Sequence, residues 1–294
     1  MSSTDYVPGI TTSAAFPALS RQIVQLATPS IALRHLLIPQ PFPAGRTFVV
    51  YKQKGARAVG ISKSESGATA VIDFREYEAV TYEPPVYTER IKIAKSLMDE
   101  VNAVLPIWND QLNSLARRVA FQMEKDIQVA LDNAVPSGNV LSKTGKSLGF
   151  TGTEFTLTGT IGQKDIIDAK KIIAQNNLMP EYLLVHPQEE AQITYLPHYT
   201  SYGYTGENSP TRGVVGEVEN LKVIVSTVIP AGTAYVVSTG TNASGAYEPL
   251  GYWVEKSPFQ AFPSFNAEDL TFNVSVYYHA GPLITSGACI AKID

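Results

Sequence analysis

The chain has 294 residues, 44% of them hydrophobic and only 17% charged, with a net charge of −4 and a single cysteine, Cys289. That length buries a real core without disulfides, and a charged fraction below the roughly 25% usual in soluble domains predicts a surface that is neutral and polar or covered by neighbouring subunits. One cysteine excludes an intrachain disulfide or a cysteine-based zinc site, the lack of a basic stripe excludes a tight reader of phosphate backbones, and no leader or long apolar run encodes secretion or a membrane span.

Residues 1–46 are polar and proline-punctuated, with two short amphipathic pieces, ALSRQIVQLA and SIALRHLL, between prolines. They predict an arm rather than a domain. TFVVYKQKGARAVGISKSESGATAVIDF (47–74) has β-rich runs around a Gly/Ser tip, the pattern of a long hairpin. EYEAVTYEPPVYTERIKIA continues extended, and Ser96 with Asp99 forms an S-x-x-D helix-start signal for SLMDEVNAVL. From Pro106 to Ala134 a helix is predicted, because Leu112, Leu115, Val119, Met123, Ile127, Ala130 and Leu131 recur three and four residues apart. It would be on the order of 40 Å long. No second helix of comparable length is there to make a bundle, so the helix reads as a strut.

A Gly/Thr/Ser-rich stretch from Pro136 to Gly162 leads into an α/β section. DIIDAKKIIAQNN is predicted helical with Ile166, Ile167, Ala169, Ile172 and Ile173 inward; YLLVH is a short buried strand, PQEEAQITYL a second helix, and LKVIVS and TAYVVS further strands. PHYTSYGYTGENSPTRG (197–213) has three tyrosines, no period, and reads as a surface loop. In DLTFNVSVYYHAG, Leu270, Phe272, Val274, Val276 and Tyr278 alternate with Thr271, Asn273, Ser275 and Tyr277, a half-exposed strand. ACIAKI closes the chain as another short strand.

Three segments carry residue types that do chemistry. In HPQEE, Pro187 holds His186 extended and suits a first helical turn, while Glu189 and Glu190 fall where carboxylates favour a helix N-terminus. A zinc-hydrolase helix needs H-E-x-x-H, and residue 190 is not histidine. SKTGKSLG (142–149) ends like a phosphate loop, but the required first glycine is Val140 and no helix follows, so it reads as a flexible basic loop. Lys52, Lys54, Arg57 and Lys63 gather positive charge on the hairpin, against the acidic Asp73, Glu76, Glu78, Glu83 and Glu89 that follow. They form either a solvated mixed-charge hairpin or a basic tip that docks on a neighbour.

The order of segments resembles the major capsid proteins of tailed phages and archaeal tailed viruses, the Hong Kong 97-type fold. The resemblance is carried by IALRHLLIPQPFPAGRTFVVYK, YTERIKIAKSLMDE, DIIDAKKIIAQNNLMPEYLLVHPQEEAQI, LKVIVSTVIPAGTAYVVS and the closing strands, from about residue 30 to the end. It implies an α+β fold with an N-terminal arm (1–46), an extended β-hairpin loop (47–80), a peripheral domain with a long spine helix (81–135 and 252–294) and an axial α/β domain (136–251). It implies a structural subunit, not an enzyme, that assembles with many copies of itself, as hexamers and pentamers, into an icosahedral shell around double-stranded DNA held without sequence-specific contacts. It implies no cofactor and no membrane; assembly takes place in the host cytoplasm and the product is the virion. Lys52, Lys54, Arg57 and Lys63 on the hairpin and Tyr199, Tyr202 and Tyr204 on the axial loop are then candidates for contacts between subunits. Because Met1 lies so close to the hairpin, the resemblance leaves no room for a fused scaffolding segment, and implies a separate scaffold or none, with separate portal and decoration proteins as further partners. A lysine–asparagine crosslink is not implied, since no motif matches the asparagine or its catalytic glutamate. An encapsulin-type compartment is the alternative on the same fold, and a metal-dependent hydrolase the alternative from another class.

Overall fold

The computed structural model describes residues 32–41, 48–53, 77–94, 104–151, 154–196, 199–201, 214–240, 249–266 and 268–294. The chain divides into two compact units, one of residues 42–83 and one of the remainder. In chain order the strands are β1 (Ile38–Pro41), β2 (Phe48–Gln53), β3 (Tyr77–Tyr82), β4 (Val86–Ala94), β5 (Val140–Leu141), β6 (Gly145–Thr151), β7 (Glu154–Thr160), β8 (Tyr182–Val185), β9 (Thr200–Ser201), β10 (Val214–Val218), β11 (Leu221–Val225), β12 (Ala234–Val237), β13 (Gly251–Asn266), β14 (Thr271–Ile284) and β15 (Ile290–Ile293). The helices are α1 (Val104–Ala134), α2 (Gln163–Gln175) and α3 (Pro187–Ile193).

The small unit is the hairpin. β2 and β3 pair antiparallel without a register shift from Phe48↔Tyr82 to Gln53↔Tyr77, so the return strand comes from EYEAVTY. Its tip, with Lys54, Arg57 and Lys63, lies outside the described residues, as do ALSRQIVQLA and the predicted start of SLMDEVNAVL.

Besides the two-stranded β6-β7 sheet, the large unit holds two larger sheets that share one core. Among the described residues the first sheet runs β1-β13-β14-β4 and the second β5-β15-β12-β8-β11-β10-β9. The 31-residue α1 packs on β14 and β4, and its buried face is Leu115, Ala116, Val119, Ala120, Met123, Ile127 and Leu131, the predicted spacing completed by two alanines. Burying such a stripe stabilises by about 1.5–3 kcal/mol per large side chain. Among the described residues the strut is therefore supported along one face by strands, with no second long helix packed on it. Between β12 and β15 the chain leaves the second sheet, forms the long β13–β14 hairpin of the first, and returns.

Local chemistry explains the turns. Glu219 and Asn220 both have positive φ, 49° and 61°, the two-residue primed turn that matches strand twist between β10 and β11. Asn177, at φ 58°, ends α2 as a left-handed cap. Asp165, 2% exposed, accepts the Gly162 N–H at 2.8 Å and the Thr144 N–H and hydroxyl, fixing the start of α2 to the residue before β6. Gly287 has no room for a Cβ, which would stand 2.3 Å from the Ala134 carbonyl oxygen at the end of α1.

Four expectations need correction. SKTGKSLG is not a flexible loop beyond Thr144: Gly145–Thr151 is β6, paired with β7 so that Leu148 is opposite Leu157 and Phe150 opposite Phe155, pairs whose β preference outweighs the glycines. Ile167 is 45% exposed, because the α2 stripe is narrower than its isoleucines suggest and closes on Ile166, Ala169 and Ile173. Leu270 belongs to the turn before β14 and is 54% exposed, whereas Val274, Val276 and Tyr278 are buried as the alternation requires. Cys289 ends a short turn ahead of β15 rather than lying in the strand.

Candidate functional site

Of the hairpin residues, Lys52 lies in β2 opposite Glu78 of β3 in register, basic residue against acidic. Of the loop tyrosines, Tyr202 and Tyr204 lie outside the described residues. Tyr199 is half-buried at the edge of the second sheet, next to β9, and covers Gly216 of β10 so closely that a Cβ there would stand 2.7 Å from its hydroxyl. Burial and the nearby Glu190 push its hydroxyl pKa up, against a hydrogen bond with Thr194. Tyr195, just before the loop, is 89% exposed.

The HPQEE segment joins β8 to α3. His186 is the residue before the helix; its Nδ1 accepts the Gln188 N–H at 3.2 Å, with Pro187 in the first turn. Glu189 is buried, and its Oε1 accepts the Gly232 N–H at 2.7 Å while Oε2 lies 3.6 Å from His186 Nδ1. The imidazole nitrogen facing Glu189 is thus engaged as a helix cap, and the carboxylate ties α3 to the turn before β12. Among the described residues no group of three or more His, Cys, Asp and Glu side chains is arranged to hold a metal ion.

Three polar anchors on α1 and the arm escape sequence reasoning. Glu124, 6% exposed, accepts the backbone N–H groups of Ala32 and Leu33 and the Ser226 hydroxyl, the last at 2.8 Å. It ties the arm, the helix and the end of β11 together. One turn on, the Tyr235 hydroxyl donates to Asp132 at 2.9 Å and accepts from Gln128, and Lys292 pairs with Asp132 at 3.1 Å and Asp294 at 3.3 Å. Burial, then Asp132, raises the Tyr235 pKa despite the Gln128 hydrogen bond; burial opposes the Lys292 charge, yet the two aspartates outweigh it and raise its pKa. In the first sheet Trp253 Nε1 donates to the Tyr278 hydroxyl at 3.1 Å, which donates to Glu255 at 3.2 Å, with Arg34 of the arm over the indole. Burial pushes Tyr278 up to about 12. A polar residue on the apolar face of α1, Glu124 or Gln128, was the only signal available in the sequence.

An open groove of about 860 Å³ runs between β4 and α1. Val86 and Phe121 line it and are 48% and 52% exposed. Tyr87 reaches across to Asp126 at 2.5 Å, Glu89 pairs with Arg118 at 2.7 Å, and Arg117 stands at the rim. Its lining is apolar at Val86, Val119 and Phe121 and charged at Glu89, Arg117, Arg118 and Asp126.

The sequence matches the phage capsid protein family over residues 78–293. The chain belongs to that family. This capsid protein is a structural subunit of a virion capsid, and its fold is of the Hong Kong 97 type, as solved structures of low identity show. A phage-related protein of Bordetella bronchiseptica RB50 is 17% identical, with 95% of this chain and 96% of that one covered at a TM-score of 0.61. The SrpI encapsulin of Synechococcus elongatus PCC 7942 is 13% identical, with 100% and 91% covered at 0.60. The mature capsid protein of bacteriophage PhiM1 is 10% identical, with 90% and 86% covered at 0.59. No curated protein matches the chain.

Proposed function

We propose that this capsid protein assembles from many copies, as hexamers and pentamers, into an icosahedral shell that encloses double-stranded DNA without sequence-specific contacts. The observation that carries the reading is the family match over residues 78–293, which spans α1, the seven-stranded sheet and every strand of the four-stranded sheet except β1. Neighbouring structures of the same fold are described as capsids, one of them the mature capsid of bacteriophage PhiM1. In this reading residues 1–46 are the arm, 47–80 the extended loop, 81–135 and 252–294 the peripheral domain with α1 as its spine, and 136–251 the axial domain with α2 and α3. The basic residues Lys52, Lys54, Arg57 and Lys63 and the tyrosines Tyr199, Tyr202 and Tyr204 then supply contacts between subunits. The chain works as a building block without catalysis, assembles in the host cytoplasm, and has portal and decoration proteins as further partners there.

A compartment shell is the second reading, favoured by the encapsulin from Synechococcus elongatus, which covers the whole of this chain. Expression of the chain, followed by electron microscopy and assay of particle contents, separates the two. Closed shells that take up DNA through a portal vertex support the virus, shells holding a co-expressed enzyme support the compartment, and a protein that stays monomeric at high concentration overturns both.

A further inference from the structure

The two ends of the four-stranded sheet carry complementary features that a single chain cannot bring together. At one end the turn between β13 and β14 is organised by Asn266, which accepts the Glu268 N–H at 3.1 Å and donates to Asp269 at 3.0 Å. The turn projects Leu270, 54% exposed and held at φ 48°, a conformation that non-glycine residues seldom adopt, beside the exposed carboxylates of Glu268 and Asp269. At the other end lies the β4–α1 groove, where Val86 and Phe121 are open to solvent and Arg117 has no ion-pair partner among the described residues. Thr271 pairs with Ala94 at the turn end and His279 with Val86 at the groove end, eight residues along the strand. At about 3.4 Å per residue the knob and the groove of one chain are roughly 27 Å apart.

We infer that the turn Glu268–Leu270 of one copy seats in the β4–α1 groove of a second copy, with Leu270 against Val86 and Phe121 and the two carboxylates facing Arg117. The occupant is a second copy because both halves of the match belong to this chain: an apolar knob with two negative charges, and an apolar groove with an uncommitted cation. Glu89 is paired with Arg118, while Asp126 accepts from the neutral Tyr87 hydroxyl and keeps its own charge, so Arg117 is the cation of the groove left to face an incoming carboxylate. The apolar contact supplies the adhesion and the charges the register, since exposed pairs mainly orient their partners. A knob and a groove on different parts of one subunit make a heterologous contact, which passes from copy to copy and ends only where rotation closes it. The inference rests on the chain being a self-assembling shell subunit.

Two measurements test it. Leu270→Cys and Phe121→Cys proteins, mixed under mild oxidation, are expected to form at least tenfold more disulfide-linked dimer than either alone. No excess in the mixture overturns the contact. Arg117→Glu and the pair Glu268→Arg with Asp269→Arg should each abolish closed shells in electron micrographs while keeping native circular dichroism, and all three changes together should restore at least half the wild-type yield. Normal shells from each reversal, or no restoration in a natively folded triple variant, overturns the contact while wild-type shells leave the assembly reading intact. A wild-type chain that forms neither shells nor the mixed disulfide overturns both.

Discussion

Single side chains in this protein do structural work that their chemistry disguises. His186 invites a catalytic reading, yet its Nδ1 accepts a helix N–H; His186→Ala is expected to lower stability by less than about 1.5 kcal/mol and to leave assembly intact, and a chemical denaturation curve shifted by more would return the residue to functional suspicion. Glu124 is the opposite case. Its replacement by alanine leaves the Ala32 and Leu33 N–H groups and the Ser226 hydroxyl unpaired in a buried place, so Glu124→Ala should cost about 2–4 kcal/mol, while Glu124→Gln, which keeps an acceptor, costs less than half of that. Equal losses for the two would mean that packing, not hydrogen bonding, holds the arm. Tyr278 titrates at about 12 in the folded chain against an ordinary 10.0. Between those values the unfolded chain gives up its proton and the folded chain keeps it, so this contribution to stability is complete below pH 10 and is lost as pH rises toward 12. Tyr278→Phe should be less stable than wild type by about 1 kcal/mol at pH 8, for the lost hydrogen bonds, and the gap should narrow by pH 11. A gap that stays constant across that range removes the tyrosine from the alkaline response.

At the scale of elements, periodicity was a good guide where one face alone is buried. The α1 stripe from Leu115 to Leu131 and the inward Val274, Val276 and Tyr278 of β14 follow from spacing, whereas β8, buried at all four positions of YLLV, was legible as a short unbroken apolar run. β13 escaped because Pro258 and Pro263 break the expected strand pattern. The register shifts between Glu255 and Gln260, and β1 covers β13 only as far as Glu255, so these prolines fall at an irregularity and along the stretch beyond that pairing, where strands tolerate them. The anchors escaped for another reason: Glu124 and Ala32 are 92 residues apart, and no local pattern reports a partner at that distance. The loop from Leu196 to Gly213, whose tyrosines are proposed for contacts between subunits, has its own test. Tyr199 and β9 fasten its start to β10, so a deletion of Tyr202 to Glu207 should leave the sheet intact and yield folded subunits whose rings close poorly. Normal shells from that deletion would take the loop out of the contact.

For the whole molecule, the separation of the hairpin as its own unit sets what its charges do. A two-stranded hairpin is marginal alone in water, so its order depends on a surface beyond its own strands, here assigned to another subunit. Reversing Lys52, Lys54, Arg57 and Lys63 to glutamate should leave a soluble chain with native circular dichroism that fails to close shells, most severely at low salt, where like charges are least screened. Normal assembly of the reversed chain at both low and high salt would reduce the hairpin to a solvated projection. Each exposed pair contributes only about 0.2–1 kcal/mol, but a shell repeats it at every contact.

The excursion of the chain from β12 to the β13–β14 hairpin and back to β15 also sets a timetable for synthesis. β15 is an interior strand, paired with β12 on one side and β5 on the other. A ribosome that has made residues 1–285 has supplied every residue of the four-stranded sheet, yet the other sheet still has β12 unpaired on one side and β5 with no strand to join. The nascent chain therefore keeps an open edge until Ile290–Ile293 emerges, and among the described residues the seven-stranded sheet cannot be complete before that strand has left the ribosome.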